Sequence, residues 1–159
     1  NITIPDKGFF VGGTPGTQSF QSGYGVLTCT ESVYATVLYS FYSATGTKLS
    51  EATVFSSENS WSSTKLILDQ TENARLGVAI ANDTDLPRTY TMTLTNSSGV
   101  EQSNGSLTIP ARTTTAKFID EILTIPIQTG LLSISSGLTD FSVIGLRYTG
   151  TVFTTIPAN

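Results

Sequence analysis

The sequence predicts an all-β protein: an antiparallel β-sandwich, Ig-like or jelly-roll-like, of about 9–11 strands with one short helical turn near 116–123. Three observations carry this expectation. From Leu76 to Pro157 the chain is a series of short runs in which apolar residues alternate with Thr or Ser, as in TYTMTLT and VFTTIP. Each run is closed by Gly, Pro, Asn or Asp, the residues that turns favour. Finally, 27 Thr and 19 Ser stand against only 13% charged residues, and the branched Cβ of Thr suits an extended, half-exposed backbone.

Residues 1–23 read as an extended, Gly-rich N-terminal arm, and 24–159 as a single sandwich domain. Gly and Pro interrupt two apolar patches in the arm, Ile2/Ile4 and Phe9-Phe10-Val11, so it does not suit the centre of a sheet. Two readings stay open for it. Phe9 to Val11 cover one end of the sandwich, or Ile2 to Val11 lie along a sheet edge of a neighbouring subunit, held by main-chain hydrogen bonds.

Tyr24–Thr30 and Val33–Ser43 are rich in β-branched and aromatic residues and predict strands. In the second, Val33, Ala35, Val37, Tyr39 and Phe41 fall on one face, and Tyr34, Leu38 and Tyr42 fall on the other. Both faces are apolar, which suits a central strand covered on both sides or one at an interface. A hairpin turn around Gly46 leads to a strand over Leu49–Ser56. The polar loop Ser56–Ser63 carries the lone Trp61, either a lid on the core or a stacking platform for a sugar.

Thr64–Asp69 predicts the next strand, and QTENA a turn. Leu76, Val78 and Ile80 then point one way, with Gly77, Ala79 and Ala81 on a small-residue face that lets another layer approach closely. Asn82–Arg88 is a turn. Tyr90, Met92 and Leu94 line the core, with Thr89, Thr91, Thr93 and Thr95 outside, the clearest period of two in the chain. NSSG closes a hairpin, Ser106–Ile109 returns, and Pro110 ends it. Phe118, Ile119, Ile122 and Leu123 have helical spacing, and Pro126 stops anything longer.

At 159 residues the chain buries roughly 68–70% of its unfolded surface, so it needs no staple. Cys29 is the only cysteine; it pairs with nothing in its own chain and reads as a small buried hydrophobe. The 8 Lys and Arg are scattered, against 12 Asp and Glu, so no basic stripe for nucleic acid exists. No apolar run approaches the roughly 18 residues of a membrane span. The chain begins at Asn1 without a Met, which fits a cleaved export signal or a piece of a longer protein. Low charge with abundant Thr and Ser favours an extracellular or cell-surface location.

Catalysis is not expected. There is no His, which removes Ser-His-Asp and Cys-His chemistry and His-ligated zinc. The acids are dispersed, and the adjacent Asp120 and Glu121 point apart, unlike a glycosidase pair. No catalytic residue and no cofactor is assigned. Asn82, Asp83 and Asp85 crowd oxygen atoms into one turn, a weak calcium candidate, because Ca²⁺ takes about six to eight oxygens and turns favour Asn and Asp anyway. Asn1, Asn82, Asn96 and Asn104 begin N-glycosylation sequons, the last three in expected turns.

LGVAIAN, SLTIPARTTTAKFIDEIL, GLLSISS, FSVIGLRYTG and VFTTIP, in that order, resemble a recurrent, poorly characterised module of bacterial secreted and surface proteins. The resemblance spans about Val37–Pro157, with one Pro at Pro110 where the module often has two. It implies a β-sandwich set among other extracellular domains and assigns no catalytic residue. The expected function is therefore a non-catalytic extracellular structural module. It would be a subunit of a surface filament or pilus-like polymer assembled through Ile2, Ile4, Phe9, Phe10 and Val11. The alternative is a carbohydrate- or surface-binding adhesion module that stacks ligands on Trp61. Expected partners are other copies or neighbouring extracellular domains, and glycans.

Overall fold

The computed structural model describes residues 2–14, 23–57, 62–139 and 141–158. Among these lie ten strands: β1 (Thr36–Tyr42), β2 (Lys48–Phe55), β3 (Ser63–Asp69), β4 (Arg75–Asn82), β5 (Arg88–Thr95), β6 (Glu101–Ile109), β7 (Thr113–Phe118), β8 (Thr129–Ser135), β9 (Phe141–Thr149) and β10 (Val152–Ile156). Two antiparallel four-stranded sheets, ordered β10-β9-β4-β7 and β3-β8-β5-β6, pack face to face as a β-sandwich. The hairpin β1–β2 forms a separate two-stranded sheet.

The core follows the period of two. Leu76, Val78 and Ile80 of β4 face Leu66 and Leu68 of β3, Tyr90, Met92 and Leu94 of β5, and Leu132 and Ile134 of β8. Burying such side chains stabilises the fold by about 1.5–3 kcal/mol each. Every one of them alternates with a Thr, Ser, Gly or other outward residue, which is why one register is favoured: a slip by one residue would send the whole set to solvent. Ile119 and Leu123, just beyond β7, close one end of the core.

Several local expectations are corrected. Ala116–Phe118 belong to β7, because Thr113–Phe118 pairs residue by residue with β4; the helical turn shrinks to a 3-10 turn at Ile119–Glu121. The return strand β6 begins at Glu101, five residues earlier than expected. Tyr24–Thr30 forms no strand, since no neighbouring strand pairs with it, and Cys29 is exposed rather than buried. β1 is not central: it has β2 on one side and no strand on the other among the described residues. Phe9 and Val11 do not cover the sandwich either, being more than three-quarters exposed.

Candidate functional site

The hairpin β1–β2 is built by its turn. Gly46 takes φ +84°, a left-handed conformation that suits glycine, and its N–H donates to the Ser43 carbonyl at 3.0 Å while the Ser43 N–H donates to Thr47 at 2.8 Å. Lys48 and Glu51 pair beside it, and the Lys48 ammonium, with help from the Ser40 hydroxyl, holds the Glu51 carboxyl below its usual range.

One face of this hairpin grips the free edge of β10. The Ser50 hydroxyl accepts from the Phe153 N–H at 3.0 Å and donates to the Phe153 carbonyl at 3.1 Å. The Thr155 hydroxyl donates to the Thr53 carbonyl at 2.6 Å. Tyr39 and Phe41 place their rings 5.5 and 6.5 Å from that of Phe153, and Tyr148 sits 5.4 Å away on the other side. Side chains thus satisfy edge groups that no strand pairs with, and the buried ring of Phe153 anchors the hairpin.

The aromatic run continues onto the outer face of the β10-β9-β4-β7 sheet. Tyr148 packs edge-on against Phe118 at 5.4 Å, and the Arg75 guanidinium lies 3.6 Å above the Phe118 ring while pairing with Asp120 at 2.7 Å. Gly77, Ala79 and Ala116 form the floor of a shallow cleft of about 220 Å³, with Phe118, Leu146 and Tyr148 as walls. A Cβ on Gly77 would come within 3.2 Å of the Tyr148 ring. Of the small-residue face noted in the sequence, Gly77 and Ala79 line this cleft and Ala81 does not.

A second cluster forms where β4 ends. Arg112, in the left-handed region at φ +54°, donates to Asp83 Oδ1 at 2.7 Å and to Asp85 Oδ1 at 3.0 Å. The Tyr24 hydroxyl also donates to Asp83 Oδ1, at 2.9 Å. These two donors, Tyr24 first and Arg112 next, keep the Asp83 carboxyl below its usual range. In the weak calcium candidate both carboxylates converge on one guanidinium, and the Asn82 oxygen accepts from the Thr84 hydroxyl at 2.7 Å. Among the described residues no group of three or more His, Cys, Asp or Glu could hold a metal ion.

The sequons separate by environment. Asn82 is the fully buried last residue of β4, and its amide nitrogen donates to the carbonyls of Leu86, Ile109 and Pro110 at 2.8, 3.2 and 3.0 Å. A glycan on that nitrogen is incompatible with this fold. Asn104 lies within β6 rather than in a turn, exposed, with its nitrogen donating to Glu101 at 2.5 Å. Asn96 occupies the expected turn, where its side-chain oxygen accepts from the N–H groups of Ser98 and Val100 at 3.0 Å. Asn1 and Trp61 lie outside the described residues, so the stacking role and the first sequon find no geometry here.

The arm residues Ile2, Ile4, Phe9, Phe10 and Val11 are all exposed, and a turn over Pro5–Gly8, closed by Gly8 N–H to the Pro5 carbonyl at 2.8 Å, separates the two patches. They belong to a wider pattern. Of twenty-one large hydrophobic residues exposed among those described, sixteen precede Ser56, while the remaining five are scattered singly over the sandwich. Scattered apolar residues are normal on a protein surface, whereas contiguous ones mark interaction sites. The sequence singled out these exposed residues and the two-faced strand, but not Tyr24, Arg112 and Phe153 as contacts, since their partners lie 59, 29 and 103 residues away.

No helix among the described residues is long and apolar enough to cross a membrane. Compared with known protein families, curated proteins and solved structures, the chain finds no match.

Proposed function

We propose that this chain is a non-catalytic structural module of the extracellular space or cell surface, which self-associates through its N-terminal arm as a subunit of a filament or pilus-like polymer. One observation carries the reading: the chain concentrates exposed large apolar side chains in the arm, the segment leading to β1 and the hairpin, and leaves the sandwich from Ser63 onward well closed. A protein that worked alone would gain from burying those residues, each worth about 1.5–3 kcal/mol when fully covered. The absence of His and the pairing of Asp83 and Asp85 with Arg112 are in keeping with a scaffold rather than a catalyst. The ordered motifs from LGVAIAN to VFTTIP, which resemble a module of secreted and surface proteins, support the location.

The test is assembly. The intact chain is expected to form oligomers whose mass rises with concentration in analytical ultracentrifugation, with fibres visible by electron microscopy. Removal of residues 1–13 is expected to leave a folded monomer. A strictly monomeric intact chain, or oligomers that survive the deletion, would overturn the reading.

A further inference from the structure

Two elements of this chain are unfinished in complementary ways. β1 is hydrogen-bonded to β2 on one side, and its other edge is open among the described residues. A hairpin alone is marginally stable in water. Natural edge strands are ordinarily blunted by charge, Pro or brevity; TVLYSFY is seven residues long and carries neither charge nor Pro. Its apolar residues are also exposed on both faces, with adjacent Val37 at 62% and Leu38 at 63%. A strand laid along this edge therefore needs apolar side chains at consecutive positions, not alternate ones.

The arm supplies that pattern. Phe9, Phe10 and Val11 are consecutive, apolar and 86%, 55% and 80% exposed. Gly8, Gly12 and Gly13 flank them without bulk, and no Pro occurs from Phe9 to Thr14, so the amides of this stretch, unlike the Gly8 N–H held in the Pro5–Gly8 turn, can join a ladder. The Pro5–Gly8 turn ends the segment on its other side. Val26 and Leu27 are a competing exposed pair. They follow Tyr24, however, whose hydroxyl is tied to Asp83 beyond the C-terminal end of β4, whereas the hairpin's rings pack beside Phe153 and Tyr148 at the Arg75 end.

Resting on the assembly reading above, we propose that residues 8–13 of one copy add as a third strand to the open edge of β1 in a second copy, with Phe9, Phe10 and Val11 covering both faces of Val37, Leu38 and Tyr39. Donor and acceptor are different surfaces of the same chain. The contact is therefore heterologous, each added copy brings a fresh open edge, and growth continues as a fibre unless the rotation closes a ring.

Three chains test this in a Cys29→Ser background: the intact protein, the 1–13 deletion, and Leu38→Lys, which places a charge on the exposed face of β1. Melting temperature verifies that each sandwich is folded. Separate Phe10→Cys and Leu38→Cys chains are then mixed under mild oxidation, with Ser98→Cys as the control acceptor. The expected result is loss of oligomers in both the deletion and Leu38→Lys, and at least a tenfold excess of Phe10→Cys/Leu38→Cys heterodimer over the control. Oligomers that need the arm but persist in Leu38→Lys without heterodimer would overturn this acceptor and leave arm-driven assembly standing. A monomeric intact protein, or oligomers indifferent to the deletion, would overturn both. A disulfide that forms within a Phe10→Cys/Leu38→Cys double variant, with no heterodimer between the separate chains, would place the arm on its own β1 and overturn the exchange between copies.

Discussion

Tyr90 sits in the core of the sandwich, fully buried against Phe141 with ring centroids 5.7 Å apart, and its hydroxyl has no hydrogen-bond partner. Burial pushes its phenol above the ordinary tyrosine range. A buried hydroxyl without a partner costs about 1–3 kcal/mol in lost hydration, while the ring contributes packing. Tyr90→Phe keeps the ring and removes the penalty. We expect the melting temperature to hold or rise by about 2–4 °C per kcal/mol gained. Tyr90→Ala, which opens a cavity, should cost about 3–5 kcal/mol. A Tyr90→Phe protein several degrees less stable in thermal denaturation would mean that the hydroxyl is bonded after all. Asn82 makes the opposite case at the same scale. It too is buried in full, yet its amide spends both its donor and its acceptor groups holding the Asn82–Arg88 turn to the end of β6.

At the scale of elements, the hairpin β1–β2 is held to β10 by the Phe153 ring together with the Ser50 and Thr155 hydrogen bonds. Phe153 touches Tyr39, Phe41 and Tyr148 and lends its backbone to Ser50. In Phe153→Ala, amides of residues 36–55 should lose hydrogen-exchange protection while those of β4, β5 and β8 keep theirs, because the sandwich core does not include this ring. Uniform loss of protection across both would show that the hairpin and sandwich unfold as one unit. The same dependence explains which elements could be read from sequence. β5 was legible because one face is buried and the other wet, so Tyr90, Met92 and Leu94 alternate cleanly with Thr. β1 was legible as a strand but not in its place, since two apolar faces suit a central strand and an unfinished edge equally. Tyr24–Thr30 has strand composition and forms none, because β propensity expresses what a pleated surface packs against, and among the described residues no strand pairs with it. The Gly- and Pro-broken apolar pattern before Tyr24 is in keeping with the exposure of Ile2, Ile4, Phe9, Phe10 and Val11. The Arg112 cluster could not be read from the sequence: Asp83 and Asp85 look like cation ligands until the fold brings a guanidinium from 29 residues away.

For the whole molecule, the titrating groups set a plateau with two shoulders. Glu51, Asp69 and Asp83 are each held below their usual range: Glu51 by Lys48, Asp69 by the Thr71 hydroxyl and backbone, Asp83 by the Tyr24 hydroxyl and then Arg112. A carboxyl whose folded pKa is depressed adds stability above its unfolded value, about 3.9–4.3, and that stability is lost as pH falls through the folded value. Tyr24, Tyr90 and Tyr148 are raised, chiefly by burial. Their contribution is complete below the unfolded value of about 10 and is lost as pH rises through the folded one. Between these limits the chain has no His to titrate. The melting temperature should therefore be flat from about pH 5.5 to 8.5, fall below about pH 4 and fall again above about pH 10. Asp83 is the informative variant, because its carboxylate serves both Tyr24 and Arg112 and so joins the segment before β1 to the sandwich. Asp83→Asn should lower the plateau and make the acid shoulder shallower, since one depressed carboxyl no longer has to be protonated. Thermal denaturation from pH 3 to 10.5 measures both effects. An acid shoulder as steep in Asp83→Asn as in the intact chain would place the acid sensitivity on Glu51 and Asp69 and leave the Tyr24–Asp83–Arg112 contact without weight in stability.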